Sequence, residues 1–345
     1  MSDMSAINFA VIGYGGMGAY HVHNILPNEN ERIHIVGTYD VNEERQAISQ
    51  EKGHKIFKSY DEVLADETIE AVLIATPNDL HKELSIAALK AGKHVVCEKP
   101  VALNTAELDE IVAVAQETGN TFMVHQNRRW DPDFLLVREL YRNGQIGDLF
   151  QLESRVQGAN GIPGDWRHVK KQGGGMLLDW GVHLLDQMLW LIDSPVKDVK
   201  ADLSFVLGEE VDDGFFALIT FENGVKAIVE VGTSNYTQLP RWYIKGTEGT
   251  ATITDWDLNG EMVQATGRED VAAPKPVQAG VGLTKTMAPP SELAAKEIPF
   301  PKAEADFEPF YKNFYNVVRN GAEPIVKNEE VRAVMQLIER IFATA

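Results

Sequence analysis

The apolar positions of the first third fall into short runs separated by stretches of helical spacing. Ile7–Ile12, Ile33–Tyr39, residues 71–75, His94–Cys97 and residues 121–124 are apolar or β-branched runs of strand length. Residues 17–26, 43–52, 80–91 and Thr105–Thr118 read as helices between them. Strand–helix alternation of this kind predicts a parallel sheet with helices on both faces. After residue 126 the pattern changes. Residues 131–142 and 176–192 have helical periodicity, and 148–157 reads as a strand. The runs 215–221 and 225–231 flank Glu222-Asn223-Gly224, and Asn-Gly is a strong hairpin signal. The runs 241–244 and 250–254 flank a second turn at 246–249. The fold class is therefore α/β. A doubly wound parallel sheet over residues 1–125 is followed by an α/β domain over 126–345 with a mainly antiparallel sheet. Residues 272–301 are rich in Pro, Ala and Gly and read as a surface excursion, a candidate lid or oligomer contact; 308–345 returns to two helices.

Composition narrows the function. The 345 residues are 44% hydrophobic and 24% charged, as in ordinary globular chains. Thirty-two basic against 51 acidic residues give a net charge of −19, which disfavours nucleic acid and anionic membrane surfaces. The single cysteine, Cys97, excludes an internal disulfide and a thiolate metal cluster, and suits a reducing cytoplasm. No signal-peptide pattern and no run of membrane-spanning length are expected.

Gly13-Tyr14-Gly15-Gly16-Met17-Gly18 forms a G-x-G-x-x-G between the first strand and the first helix. The first glycine permits the tight turn, the second lets backbone approach a pyrophosphate, and the third lets helix and strand pack. Asp40 closes the second strand, 22 residues after Gly18, where a carboxylate can bind ribose hydroxyls and repel a 2′-phosphate. NAD is favoured over NADP on this ground. Ala75-Thr76-Pro77-Asn78 and His81 follow the third strand, at the edge where open α/β sheets bind ligands; capping of the next helix is the plainer reading of these residues alone.

Glu98-Lys99-Pro100 follows the fourth strand and would put a lysine beside a nicotinamide. Asp179 and His183 lie four apart in an apolar helix that follows the glycines 173–175, so they are expected on one face as a coupled acid–base pair. A buried structural pair is the alternative. Asp186, three beyond His183, is expected at a solvent edge or a cap. No metal is expected, since no further histidine or carboxylate stands at convincing spacing. Trp166-Arg167 lies just ahead of the glycine run.

Taken together in order and spacing, these motifs resemble the Gfo/Idh/MocA family of oxidoreductases over essentially the whole chain. The stretch from His125 to Asp131 looks like the scyllo-inositol dehydrogenase branch, although that branch carries basic residues where this chain has Asp40. The resemblance implies hydride transfer between nicotinamide and a CH–OH group of a sugar or cyclitol. It implies catalysis by Lys99, Asp179 and His183. It also implies cofactor contacts from the 75–78 turn, His81, Glu98, Lys99, Trp166 and Arg167. Asn127, Arg128 and Tyr236 are candidate substrate residues, and a homodimer or homotetramer is implied. In the expected mechanism Asp179 orients His183, which exchanges the hydroxyl proton. An NAD-dependent glycoside hydrolase and a catalytically silent NAD-binding regulator on the same fold are the alternatives.

Overall fold

The strands of the first unit are continuous apolar runs because they are buried on both faces: Val11, Val72, Leu73, Val95 and Val96 are all sealed from solvent. A computed structural model describes residues 5–267, 275–290 and 293–344. Within these, β1 (Ile7–Ile12), β2 (Ile33–Tyr39), β3 (Ala71–Ile74), β4 (His94–Cys97) and β5 (Phe122–Val124) form a parallel sheet in the order β2-β1-β3-β4-β5. The chain leaves β1 toward β2 and returns to pair β3 on the other side. That reversal opens a crevice at the carboxyl ends of β1 and β3.

The helices between the strands start where side chains can cap them. Helix α1 (Gly16–Tyr20) runs into a π-helical turn, His21–Ile25. Asn42 caps α2 (Glu43–Glu51), and Ser59 caps α3 (Tyr60–Ala65). Helix α4 (His81–Lys90) follows β3, and Asn104 caps α5 (Thr105–Thr118). Helix α3 is too short to show a period, and only its serine cap marks it in the sequence.

The second unit begins with α6 (Pro132–Asn143), β6 (Leu149–Gln157) and α7 (Val182–Leu191). Strands β7 (Val196–Ser204), β8 (Gly214–Phe221), β9 (Lys226–Gly232), β10 (Trp242–Gly246), β11 (Gly249–Ile253) and β12 (Gly260–Ala265) follow. With β6 and a later strand they form an eight-stranded sheet in which only β6 and β9 pair in parallel. The expected hairpin joins β8 to β9 at Asn223-Gly224.

The excursion differs from expectation. Strands β13 (Val277–Ala279) and β14 (Gly282–Thr284) form a small hairpin, and β15 (Ala295–Ile298) extends the large sheet beside β12. β15 shows no alternation because it is an edge strand with little burial. Residues 272–274, 291 and 292 lie outside the described residues. Helices α8 (Phe310–Asn320) and α9 (Asn328–Thr344) return to the first sheet. Tyr311 and Phe314 meet Phe9 edge-on at 6.3 and 5.5 Å, and α9 packs on α5, β5 and α7. Among the described residues no helix is long and apolar enough to cross a membrane.

Candidate active site

The glycine loop is shaped by close backbone approach. Gly13 has φ +91°, and a Cβ there would lie 2.6 Å from the Ala75 carbonyl oxygen; a Cβ on Gly18 would strike the carbonyl of Gly13. Nothing lies within 4 Å of a Cβ added to Gly15 or Gly16. The loop is thus pressed against the residue after β3 at Gly13, closed on itself at Gly18 and open in the middle, beside Met17, as a backbone cradle for a diphosphate requires. Asp40 is fixed beside it: its carboxylate accepts the N–H of Tyr14 at 2.6 Å and of Asn42 at 2.8 Å. Thr76 Oγ1 is buried with no hydrogen-bond partner among the described residues. These features fit a dinucleotide. Tyr14 offers only backbone, since its ring is buried and its hydroxyl pairs with His23 at 2.5 Å.

Several expected cofactor residues turn elsewhere. Asn78 is buried, and its amide donates to the Gly173 carbonyl at 2.9 Å, clamping the second unit's glycine run to the turn at Pro77. His81 is sealed from solvent between the carbonyls of Pro100 (2.8 Å) and Thr76 (2.9 Å). Both residues therefore brace loops instead of facing the cleft. Glu98 points inward: one carboxylate oxygen accepts from His21 at 2.7 Å and from His125 at 2.8 Å. Burial opposes its ionisation, but His125 and His21 outweigh that and hold the Glu98 carboxyl well below its usual range. Tyr311 completes this group by bonding the other nitrogen of His21 at 2.7 Å. The ligand-capable atoms of His21, Glu98 and His125 lie within 4.8 Å of one another, and their hydrogen bonds to each other account for the cluster without an ion. The one signal for it in the sequence is His21, three residues after Gly18 and so on the same helical face.

Lys99 faces the other way, across a cis bond to Pro100. Its ammonium donates to Asp179, to the backbone carbonyl at 2.9 Å and to the carboxylate at 3.3 Å. Arg167, stacked 4.6 Å over Trp166, donates to the second Asp179 oxygen at 3.0 Å. Burial raises the Asp179 carboxyl, but Lys99 and Arg167 together overcome this and hold it below its ordinary value.

Asp179 is not the partner of His183. Residues Leu177–Gly181 form a π-helical turn ahead of α7, so the α-helical register that would stack the two side chains is broken. Asp179 goes to the two cations, and the buried Nδ1 of His183 has no hydrogen-bond partner among the described residues. Burial first, then the charges of Lys99 and Arg128, push the imidazole well below its usual range. The π turn starts on Asp212, whose carboxylate accepts the Leu177 N–H at 2.7 Å and whose carbonyl accepts the Met176 N–H at 3.0 Å. Burial raises the Asp212 carboxyl to about 6. The sequence does not reveal this anchor, which lies 35 residues away.

Of the candidate substrate residues, Asn127 begins a 3-10 turn next to the cluster and Arg128 lies over the Trp180 ring at 4.3 Å. Tyr236 is 91% exposed and makes none of the contacts that join the site, so the structure does not bring it in. Asp186, expected at an edge or cap, is buried in a bidentate pair with Arg129 at 2.8 and 2.6 Å, because α7 is covered on that face by the 127–130 turn and α9.

A Rossmann sheet with this cradle defines an NAD-binding oxidoreductase, and comparison with known proteins agrees. Residues 7–126 match the model of an oxidoreductase family with the NAD-binding Rossmann fold, and residues 134–252 match the Gfo/Idh/MocA C-terminal domain. An uncharacterized oxidoreductase of Schizosaccharomyces pombe is 34% identical over 260 residues, 72% of this chain and 70% of the relative. The chain belongs to the Gfo/Idh/MocA family of oxidoreductases. The crystal structure of an NAD-binding protein from Listeria innocua is 56% identical with a TM-score of 0.97, covering 99% of this chain and 97% of that one. Myo-inositol 2-dehydrogenase of Thermotoga maritima is 29% identical over 231 residues, 65% of this chain and 68% of the relative.

Proposed function

We propose that this chain is an NAD-dependent dehydrogenase oxidising a CH–OH group of a sugar, sugar derivative or cyclitol. The observation that carries the reading is a cationic Lys99–Asp179–Arg167 group beside a buried, neutral His183, at the carboxyl edge of a sheet with a dinucleotide cradle. The kinship with an inositol dehydrogenase supports the substrate class. Asp40 supports NAD over NADP, since its carboxylate would repel a 2′-phosphate.

The nicotinamide, when bound, supplies the hydride acceptor. His183 removes the hydroxyl proton. Its lowered basicity keeps it neutral, and ready to accept, through the neutral pH range. Lys99 donates to the same oxygen and stabilises the alkoxide character that develops there. Asp179 holds the ammonium in place, and Arg167 holds Asp179. This departs from the dyad expected for Asp179 and His183: the carboxylate serves the lysine. In the reverse direction the protonated imidazole returns the proton. The open face of the large sheet, where Phe150 and Phe216 are exposed, supports a homodimer or homotetramer.

The test is the absorbance of reduced cofactor with NAD or NADP and a panel of inositols, aldoses, sugar acids and anhydrosugars. Reduction of NAD with one substrate class is expected. Turnover with NADP alone would overturn the role given to Asp40. Tight NAD binding without turnover of any substrate would overturn the dehydrogenase reading.

A further inference from the structure

On a chain of net charge −19, one corner of the cleft beyond His183 gathers guanidinium groups against indole rings. Arg128 lies 4.3 Å from the centre of the Trp180 ring and 5.4 Å from that of Trp256, and Arg241 lies 4.7 Å from Trp256. Four carboxylates answer the four cations here. Asp179 is shared by Lys99 and Arg167, Asp131 pairs with Arg128 at 2.8 Å, and Asp133 pairs with Arg241 at 3.1 Å. Asp133 also accepts from the Trp242 indole, and Arg167 has a fourth, outlying partner in Asp165. His183 feels the charges of Lys99 and Arg128 together, so this corner adjoins the catalytic group.

Arg128 is the cation with donors to spare. Only Nη1 is committed, to Asp131. Nε is buried without a partner, and Nη2 makes no hydrogen bond among the described residues, while the side chain is 26% exposed. An unpaired buried donor is costly, and the Nη2 end of a guanidinium can donate a charge-assisted hydrogen bond to a carboxylate oxygen. Beside it Trp180 and Trp256, 6.2 Å apart and tilted by 40°, form a shelf suited to the C–H face of a sugar ring. The Trp180 ring centre lies 6.0 Å from that of His183, so a sugar ring on the shelf adjoins the proposed proton acceptor.

We propose that Arg128, standing at the Trp180–Trp256 shelf, binds a carboxylate on the substrate, and that the preferred substrate is a sugar acid. This rests on the dehydrogenase reading for its chemistry and on the partly exposed Arg128 guanidinium for its charge. One guanidinium with one free nitrogen, Nη2, fits a singly charged carboxylate better than a phosphate dianion.

The experiment uses the full chain, its Arg128→Gln variant and its Trp256→Ala variant. It compares matched pairs, glucose with glucuronate and galactose with galacturonate, and adds glucose 6-phosphate. kcat/KM for NAD reduction is read with each, and binding of each to the NADH-loaded protein is read by calorimetry. The wild type is expected to favour the acid of a pair by about 10- to 100-fold, mostly in KM, as a charge-assisted hydrogen-bonded pair implies. Arg128→Gln should collapse that ratio toward one. Trp256→Ala should weaken acid and neutral sugar alike and leave the ratio standing. A wild-type ratio of one or less, or a ratio that survives Arg128→Gln, overturns the proposal while leaving the dehydrogenase intact. Preference for glucose 6-phosphate over glucuronate overturns the carboxylate assignment. Arg128-dependent binding of an acid without any turnover upholds the proposal and removes the dehydrogenase reading. Absence of both turnover and acid binding removes both.

Discussion

Glu98 and Asp179 are carboxylates on opposite sides of Lys99, and they have opposite surroundings. Glu98 is turned into the protein, where two imidazoles and a tyrosine close a sealed network. Asp179 is turned to the cleft and balances two cations that can also reach a substrate. Two adjacent residues, Glu98 and Lys99, thus divide the work. The first anchors the end of β4 to α1's continuation and α8, and the second is the one we propose to carry chemistry. A buried charge that is fully partnered contributes rigidity, whereas His183, with an unpartnered Nδ1, remains available to gain a proton.

Substitutions can break this division. Glu98→Gln leaves the His21 and His125 donors facing a neutral amide in place of a carboxylate acceptor, and should lower stability by about 3–5 kcal/mol, the usual loss when one partner of a buried pair is removed. The folded fraction should keep kcat nearly unchanged, as urea unfolding and active-site titration on the same sample would reveal. A stable but inactive variant would place Glu98 in the chemistry and erase the contrast. Lys99→Met should do the reverse: kcat falls by about 10²–10³-fold, the size expected for a lost oxyanion donor, with the unfolding midpoint little moved. A comparable loss of stability would make Lys99 a structural residue like its neighbour.

Asp212 gives the smallest effect and the clearest pH dependence. Its carboxyl is raised to about 6, above the ~3.9 of an unfolded aspartate. A raised carboxyl contributes stability that is fully present below the unfolded value and lost as pH rises through the folded one, here about 6. Asp212→Asn keeps an oxygen for the Leu177 N–H without the charge. Its stability relative to wild type should therefore be greater at pH 8 than at pH 4, by roughly 2–3 kcal/mol from a shift of about two units. Equal differences at the two pH values would contradict the burial argument.

Most of the frame was legible in the sequence. The apolar runs gave β1 to β5 within a residue or two, because strands buried on both faces leave a continuous apolar signal. The glycine loop and Asp40 were legible because their chemistry is local. What was not legible depends on partners far along the chain. Asn78 bonds Gly173, Glu98 bonds His21 and His125, and Asp212 caps a turn at Leu177; each contact joins residues 27 to 95 positions apart. The pairing of Asp179 was misjudged for a local reason, since a π turn has no signature in an apolar periodicity read at 3.6 residues. β15 was missed because an exposed edge strand has no buried face to alternate with.

The central claim is that His183, without help from Asp179, is the proton acceptor of an NAD-linked oxidation. The direct measurement is kcat of His183→Ala with NAD and the best substrate, alongside calorimetric NAD affinity. The account predicts a loss of about 10²–10⁴-fold in kcat, the usual span of general acid–base help, with the affinity for NAD unchanged. An unchanged kcat would contradict it and move the proton to another residue of the cleft.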